Sequence, residues 1–134
     1  MSFSVIIPSR NAANLVACVD QIRLFEGYGC RIIVVDDGLN LTEANNRSGA
    51  GCYFCDSGDC LKIPGVKPFI FARNVNLGIK AAGADDVILL NDDALLQSKS
   101  GFTWLSGKTQ TGEYDIVSAT TNLAGNPAQQ RARG

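Results

Sequence analysis

Val87-Ile88-Leu89-Leu90-Asn91-Asp92-Asp93-Ala94 sets four apolar residues directly before a neutral residue and two adjacent carboxylates. A short unbroken apolar run reads as a strand buried on both faces, as in a parallel sheet covered by helices. The carboxylates then sit at the carboxyl edge of that strand, where open α/β sheets bind ligands. The same layout recurs upstream. Arg31-Ile32-Ile33-Val34-Val35 runs into Asp36-Asp37-Gly38, and Phe3-Ser4-Val5-Ile6-Ile7 ends at Pro8-Ser9-Arg10-Asn11. Three strands ending in this way predict one acidic rim able to hold a metal ion.

The intervening residues support an α/β fold. Leu15, Cys18, Val19, Ile22 and Phe25 recur at helical spacing, which predicts an amphipathic helix. Asn11 or Asn14 can cap it, and Gly27 and Gly29 stop it. Strand, helix, strand is then a βαβ unit with a right-handed crossover. Further on, Phe69-Ile70-Phe71 reads as a short third strand, Asn74–Ala82 as a helix ended by Gly83, and Tyr114–Ala119 as another strand. Residues 39–66 are polar, Gly-rich and Cys-bearing, with one or two helical turns over Thr42 to Arg47. A loop of that length inside one domain is functional, mobile or metal-stapled. The expected organisation is a single domain over residues 1–121 with that insertion, and a polar tail over 122–134.

Composition narrows the classes. A formal charge of −1 with no block of like charge argues against a nucleic-acid surface. No apolar stretch approaches the roughly 20 residues that span a bilayer. With no leader-like N-terminus, a cytoplasmic location is expected. The chain has no histidine, which excludes Ser-His-Asp and Cys-His nucleophiles and His-ligated zinc. Of the five cysteines, Cys18 and Cys30 read as core residues. Cys52, Cys55 and Cys60 form a partial zinc knuckle for which Cys30 or Asp56 could supply a fourth ligand, set against a disulfide, which a cytosolic setting disfavours, and against free thiols in a mobile loop.

The candidate chemistry lies on the rim. Adjacent side chains diverge as the backbone leaves a strand, so one of Asp92 and Asp93 can take a hydroxyl while the other binds a hard cation. Mg²⁺ and Mn²⁺ need only one or two carboxylates when water and ligand phosphates complete the shell. Asp37 can accept N–H groups of a base or cap the chain locally, and Arg10 and Arg73 can meet phosphate or stack on a base. The plain alternative is that each Asp pair only shapes a turn. Phe102 and Trp104 either offer aromatic faces to a ring-shaped ligand or pack in the core.

Taken in order, Ser4–Asn11, Ile33–Gly38, Ala72-Arg73-Asn74 with Asn76-Leu77-Gly78-Ile79, and Leu89–Asp93 resemble the motifs of the A-fold (GT-A) glycosyltransferases, specifically the large inverting family 2. The resemblance covers about residues 3–96. It implies a Rossmann-like nucleotide-diphospho-sugar transferase fold, a mostly parallel sheet with flanking helices, here incomplete. It also implies a nucleotide-diphosphate-sugar donor, an acceptor hydroxyl, and Mn²⁺ or Mg²⁺. Carried over by position, Pro8, Ser9 and Arg10 would line the base, and Asp37 would bond its edge. Arg73 would lie near the base or diphosphate, with Asn76 and Gly78 beside it. Asp92 would hold the ribose, and Asp93, with Asp92, the metal.

Three features depart from the family pattern. Asn91 stands where a first carboxylate is usual. Either Asn74 or Asn76 matches the motif asparagine. Only Glu113 and Asp115 carry acid groups after Asp93, so no general base is evident and the catalytic residue is unassigned. The chain reads as the donor-binding half of such an enzyme, which would leave apolar surface uncovered and favour self-association. Two readings from other classes are a nucleotide-sugar-binding module without transfer, and an interaction protein that binds a metal or partner through the cysteine loop.

Overall fold

The computed structural model describes residues 2–27, 29–40, 42–43 and 60–119. In these, β1 (Phe3–Ser9), α1 (Ala12–Glu26), β2 (Arg31–Asp36), β3 (Cys60–Pro64), α2 (Phe71–Ala82), β4 (Asp86–Leu89) and α3 (Gly101–Gln110) follow one another along the chain. The four strands form one parallel sheet in the order β3-β2-β1-β4. The α/β class and parallel sheet expected from the sequence are therefore present.

Alternation along the central strands builds two cores. Val5 and Ile7 of β1 and Ile32 and Val34 of β2 face Leu15, Cys18, Val19 and Ile22 of α1, and Phe102 of α3 joins them. Ile6, Ile33 and Val35 point the other way, against Ala81 and Ala82 of α2. Each fully buried Val, Leu or Ile side chain contributes about 1.5–3 kcal/mol, so β1 and β2 are the stable centre. α1 starts at Asn11, whose Oδ1 accepts the Asn14 N–H at 3.0 Å, and ends at Gly27 with φ 71°. Glu26 reaches from the end of α1 to the start of α3. Its Oε1 accepts the Phe102 N–H at 2.6 Å and its Oε2 the Thr103 hydroxyl at 2.7 Å.

Helices on both faces make the sheet doubly wound. The chain steps outward from β1 through β2 to β3, then α2 carries it back across to β4 on the far side of β1. The strand order therefore reverses between β1 and β4, the switch point at which such sheets open a ligand crevice.

Four expectations need correction. Phe69–Phe71 is not a strand: Phe71 opens α2, and the Asn74 N–H already bonds the Ile70 carbonyl at 3.1 Å. The third strand is Cys60–Pro64 instead, inside the stretch read as loop. It carries Lys62 and Pro64 and shows no apolar run, which an edge strand tolerates. Tyr114–Ala119 forms no ladder, and Ile116 is 89 % exposed. β4, expected to be buried on both faces, lies at the sheet edge with Val87 and Leu89 exposed.

Among the described residues, no helix is long and apolar enough to cross a membrane. Most of the turn expected at 42–47, Cys52, Cys55 and the tail at 122–134 lie outside the described residues. Cys60 is buried, with its side chain in the core beside Cys30, Ile32 and Val34. Cys60 thus helps to pack the sheet against α1, while Cys52 and Cys55, the other two members of the zinc-knuckle expectation, lie outside the described residues.

Candidate functional site

At the carboxyl ends of β1, β2 and β4 lies a cleft of about 500 Å³, lined by Pro8, Ser9, Arg10, Asn11, Asn14, Asp37, Phe69, Phe71, Asn91, Asp92 and Asp93. Three chain segments far apart in sequence thus deliver their polar ends to one mouth.

The loop after β2 divides its two carboxylates between two tasks. Asp36 Oδ1 accepts the N–H groups of Gly38 and Leu39 at 2.8 and 2.7 Å. That shapes a turn in which Gly38 takes φ 104°, a conformation natural to glycine. Asp37 is buried and enters the cleft, with its N–H on the Ser9 carbonyl at 2.9 Å. Lys67 Nζ donates to Asp37 Oδ1 at 2.7 Å and to the Asp37 carbonyl at 2.8 Å. The turn reading and the site reading of Asp-Asp-Gly therefore both hold, one for each residue.

Burial works against the Asp36 charge, but the Leu39 and Gly38 amides and Lys62 together outweigh it and hold its carboxyl below the usual range. A carboxylate lowered in the folded state stabilises above its ordinary value, and that stability is lost as pH falls through the folded value. Asp36→Asn should therefore be less stable than the parent at pH 7. The gap should close below about pH 4, as read from urea midpoints across pH.

The loop after β4 presents the second pair. Asp92 is half-buried, and its Oδ2 accepts the Ser9 hydroxyl at 2.7 Å. Asp93 is exposed, and nothing among the described residues bonds its carboxylate. Beneath this loop Cys18 donates its thiol to the Ala94 carbonyl at 3.4 Å. Burial, then the Asp92 and Asp93 charges, push that thiol up to about 12, so it remains a donor at physiological pH. Arg10 is exposed at the mouth and makes no hydrogen bond or ion pair with the described residues.

The family whose sequence model matches the chain is glycosyl transferase family 2, over residues 4–126. The chain belongs to glycosyl transferase family 2. No curated protein matches it.

Within this family 2 chain, the cleft gathers Pro8, Ser9, Arg10, Asp37, Asp92 and Asp93 from the residues singled out in the sequence. It does not gather Arg73, Asn76 or Gly78. The Arg73 guanidinium donates to the carbonyls of Val66, at 3.1 Å, and Pro68, so it braces the turn before α2. Of the two candidate asparagines, Asn74 is buried and accepts the Val66 N–H at 3.1 Å, whereas Asn76 is exposed. Gly78 packs α2 against β1, where a Cβ would lie 2.4 Å from Ile6 Cγ2.

Lys67, Phe69 and Phe71 were missed as site residues. For the two aromatics the signal is a Phe pair at the entry to α2, just before Arg73, which reading 69–71 as a strand obscures; nothing in the sequence marks Lys67. Phe102 is core, while Trp104 is 68 % exposed on α3 with Lys108 Nζ 4.6 Å from its ring centre. Neither lines the cleft. Asp115 lines a separate groove beside β4.

The donor set can be tested against a divalent cation. No group of three or more Cys, Asp or Glu able to hold a metal occurs among the described residues. Asp93 and the remaining oxygen of Asp92 nevertheless suit Mg²⁺ or Mn²⁺, hard cations that complete their shells with water and diphosphate oxygens. The two carboxylates fit such a cation where water or a ligand's oxygens complete its shell.

Proposed function

We propose that the cleft binds a nucleotide-diphosphate sugar and that the chain acts in transfer of the sugar to an acceptor hydroxyl. The observation that carries this reading is the meeting of Arg10, Asp37 and the Asp92/Asp93 pair in one cleft at the carboxyl ends of β1, β2 and β4. Phe69 and Phe71, each about half exposed, offer flat apolar faces for a base. Asp37 offers an acceptor for base N–H groups. The Arg10 guanidinium, planar and unengaged by the described residues, suits a phosphate. Asp93, with Asp92, would hold Mn²⁺ or Mg²⁺. Such a cation, when bound, stabilises charge on the departing nucleoside diphosphate.

A thermal-shift panel tests the reading. A ligand that binds only the folded state at a hundred times its Kd adds about 2.7 kcal/mol, which for a chain of this size raises Tm by roughly 5–10 °C. Uridine or guanosine diphosphate should give such a shift with Mn²⁺ and a much smaller one with EDTA. No shift with any nucleoside diphosphate would favour the interaction-protein reading. A shift without sugar hydrolysis or transfer would favour a binding module.

A further inference from the structure

We propose that Ser9 is a positioning residue that sets Asp92 across the mouth of the cleft from Asp37; this rests on the nucleotide reading above. The β1–β4 ladder ends where the Leu90 N–H bonds the Ile6 carbonyl at 3.0 Å. Beyond that point Ser9 Oγ–H to Asp92 Oδ2, at 2.7 Å, spans the two strand ends.

The same residue holds the other side. Its carbonyl accepts the Asp37 N–H at 2.9 Å. Ser9 is only 3 % exposed, so its hydroxyl acts through Asp92 rather than on a ligand.

The direction of the bonding is defined. A hydroxyl has one proton and two lone pairs. The Asn11 carbonyl is 3.4 Å from Ser9 Oγ, far longer than the bond to Asp92, so the proton goes to Asp92. The Asn11 N–H donates into the hydroxyl at 3.3 Å. The chain of bonds Asn11 N–H to Ser9 O–H to Asp92 fixes one carboxylate oxygen and leaves the other for the nucleotide or its cation.

Ser9→Ala deletes the hydroxyl and keeps the backbone bond to Asp37. Ser4→Ala is its control: Ser4 is buried on the same strand and donates to Asp85 Oδ2 at 2.8 Å, at the far end from the cleft. Two readouts are compared. Without ligand, the Asp92 carboxyl carbon and Asn11 amide resonances should move in Ser9→Ala, stay put in Ser4→Ala and return toward the parent position in Ser9→Thr. With Mn²⁺ and uridine diphosphate, Ser9→Ala should bind about tenfold more weakly, as for loss of a partner that orients a ligating group. Ser9→Thr should recover affinity, and Ser4→Ala should bind as the parent does. Unmoved resonances, parental affinity in Ser9→Ala, or equal weakening in Ser4→Ala would each overturn the assignment. A parent chain that binds no nucleoside diphosphate would overturn the nucleotide reading beneath it, and the ligand-free resonances tell that failure apart.

Discussion

Asp93→Ala should lose on the order of a hundredfold in affinity for Mn²⁺ with a nucleoside diphosphate, about 2.8 kcal/mol, while folding as stably as the parent. The two halves of this result have separate causes. Asp93 is exposed and bonded to nothing among the described residues, and such surface substitutions usually change stability by no more than about 0.5 kcal/mol. Its proposed work is to hold a cation that offsets diphosphate charge, and a hard cation with few protein ligands depends on each one. Asp92→Ala should behave differently. It leaves the buried Ser9 hydroxyl only the longer contact to the Asn11 carbonyl, at 3.4 Å, which costs about 1 kcal/mol of stability in addition to affinity. Calorimetric binding beside urea unfolding of both variants separates the cases.

The second large effect concerns the fold. Gly78→Ala should destabilise the chain by roughly 2 kcal/mol. The added Cβ would stand 2.4 Å from Ile6 Cγ2 and 3.3 Å from Val35 Cγ2. Both are β-branched residues on central strands, stiff about χ1 and fully buried, so neither methyl can swing aside. Overpacking of this kind costs about 1–3 kcal/mol, and so close an approach belongs at the upper end. The better helix propensity of alanine returns only about 1 kcal/mol. The net loss corresponds to a Tm fall of about 4–8 °C, readable by calorimetry. The nucleotide affinity of the folded fraction should change little, because Gly78 does not line the cleft.

These two residues show how far the sequence could be read. Asp37, Asp92 and Asp93 were legible because an apolar run followed by carboxylates marks a strand end in a parallel sheet, and position along a buried strand is a local property. β1, β2 and α1 were legible for the same reason, each having an uninterrupted apolar pattern. Gly78 was legible as important but not as to why. Its neighbours Ile6 and Val35 come from β1 and β2, and only the crossover of α2 brings them together. Asn74 and Asn76 could not be ranked, because they stand two residues apart, about 200° around a helix, and only the packing of α2 decides which points inward. Cys60–Pro64 escaped notice because an edge strand supported by β2 alone needs no apolar run. Phe-Ile-Phe at 69–71 has strand-like side chains, yet its backbone is taken by the start of α2. The family resemblance places Ser9 against the base, and no local pattern points from it to Asp92. Its bond to Asp92, 83 positions away, is a tertiary fact.

Paramagnetic broadening tests the central claim most directly. Mn²⁺ added with uridine diphosphate to the ¹⁵N-labelled chain should selectively erase the amide signals of Asn91 to Ala94, and weaken those of Ser9, Arg10 and Asp37. Mg²⁺ should shift the same signals without erasing them, and Asp93→Ala should abolish both effects. Broadening centred on another surface, or none at saturating nucleotide, would contradict the assignment of this cleft to a metal-borne sugar donor.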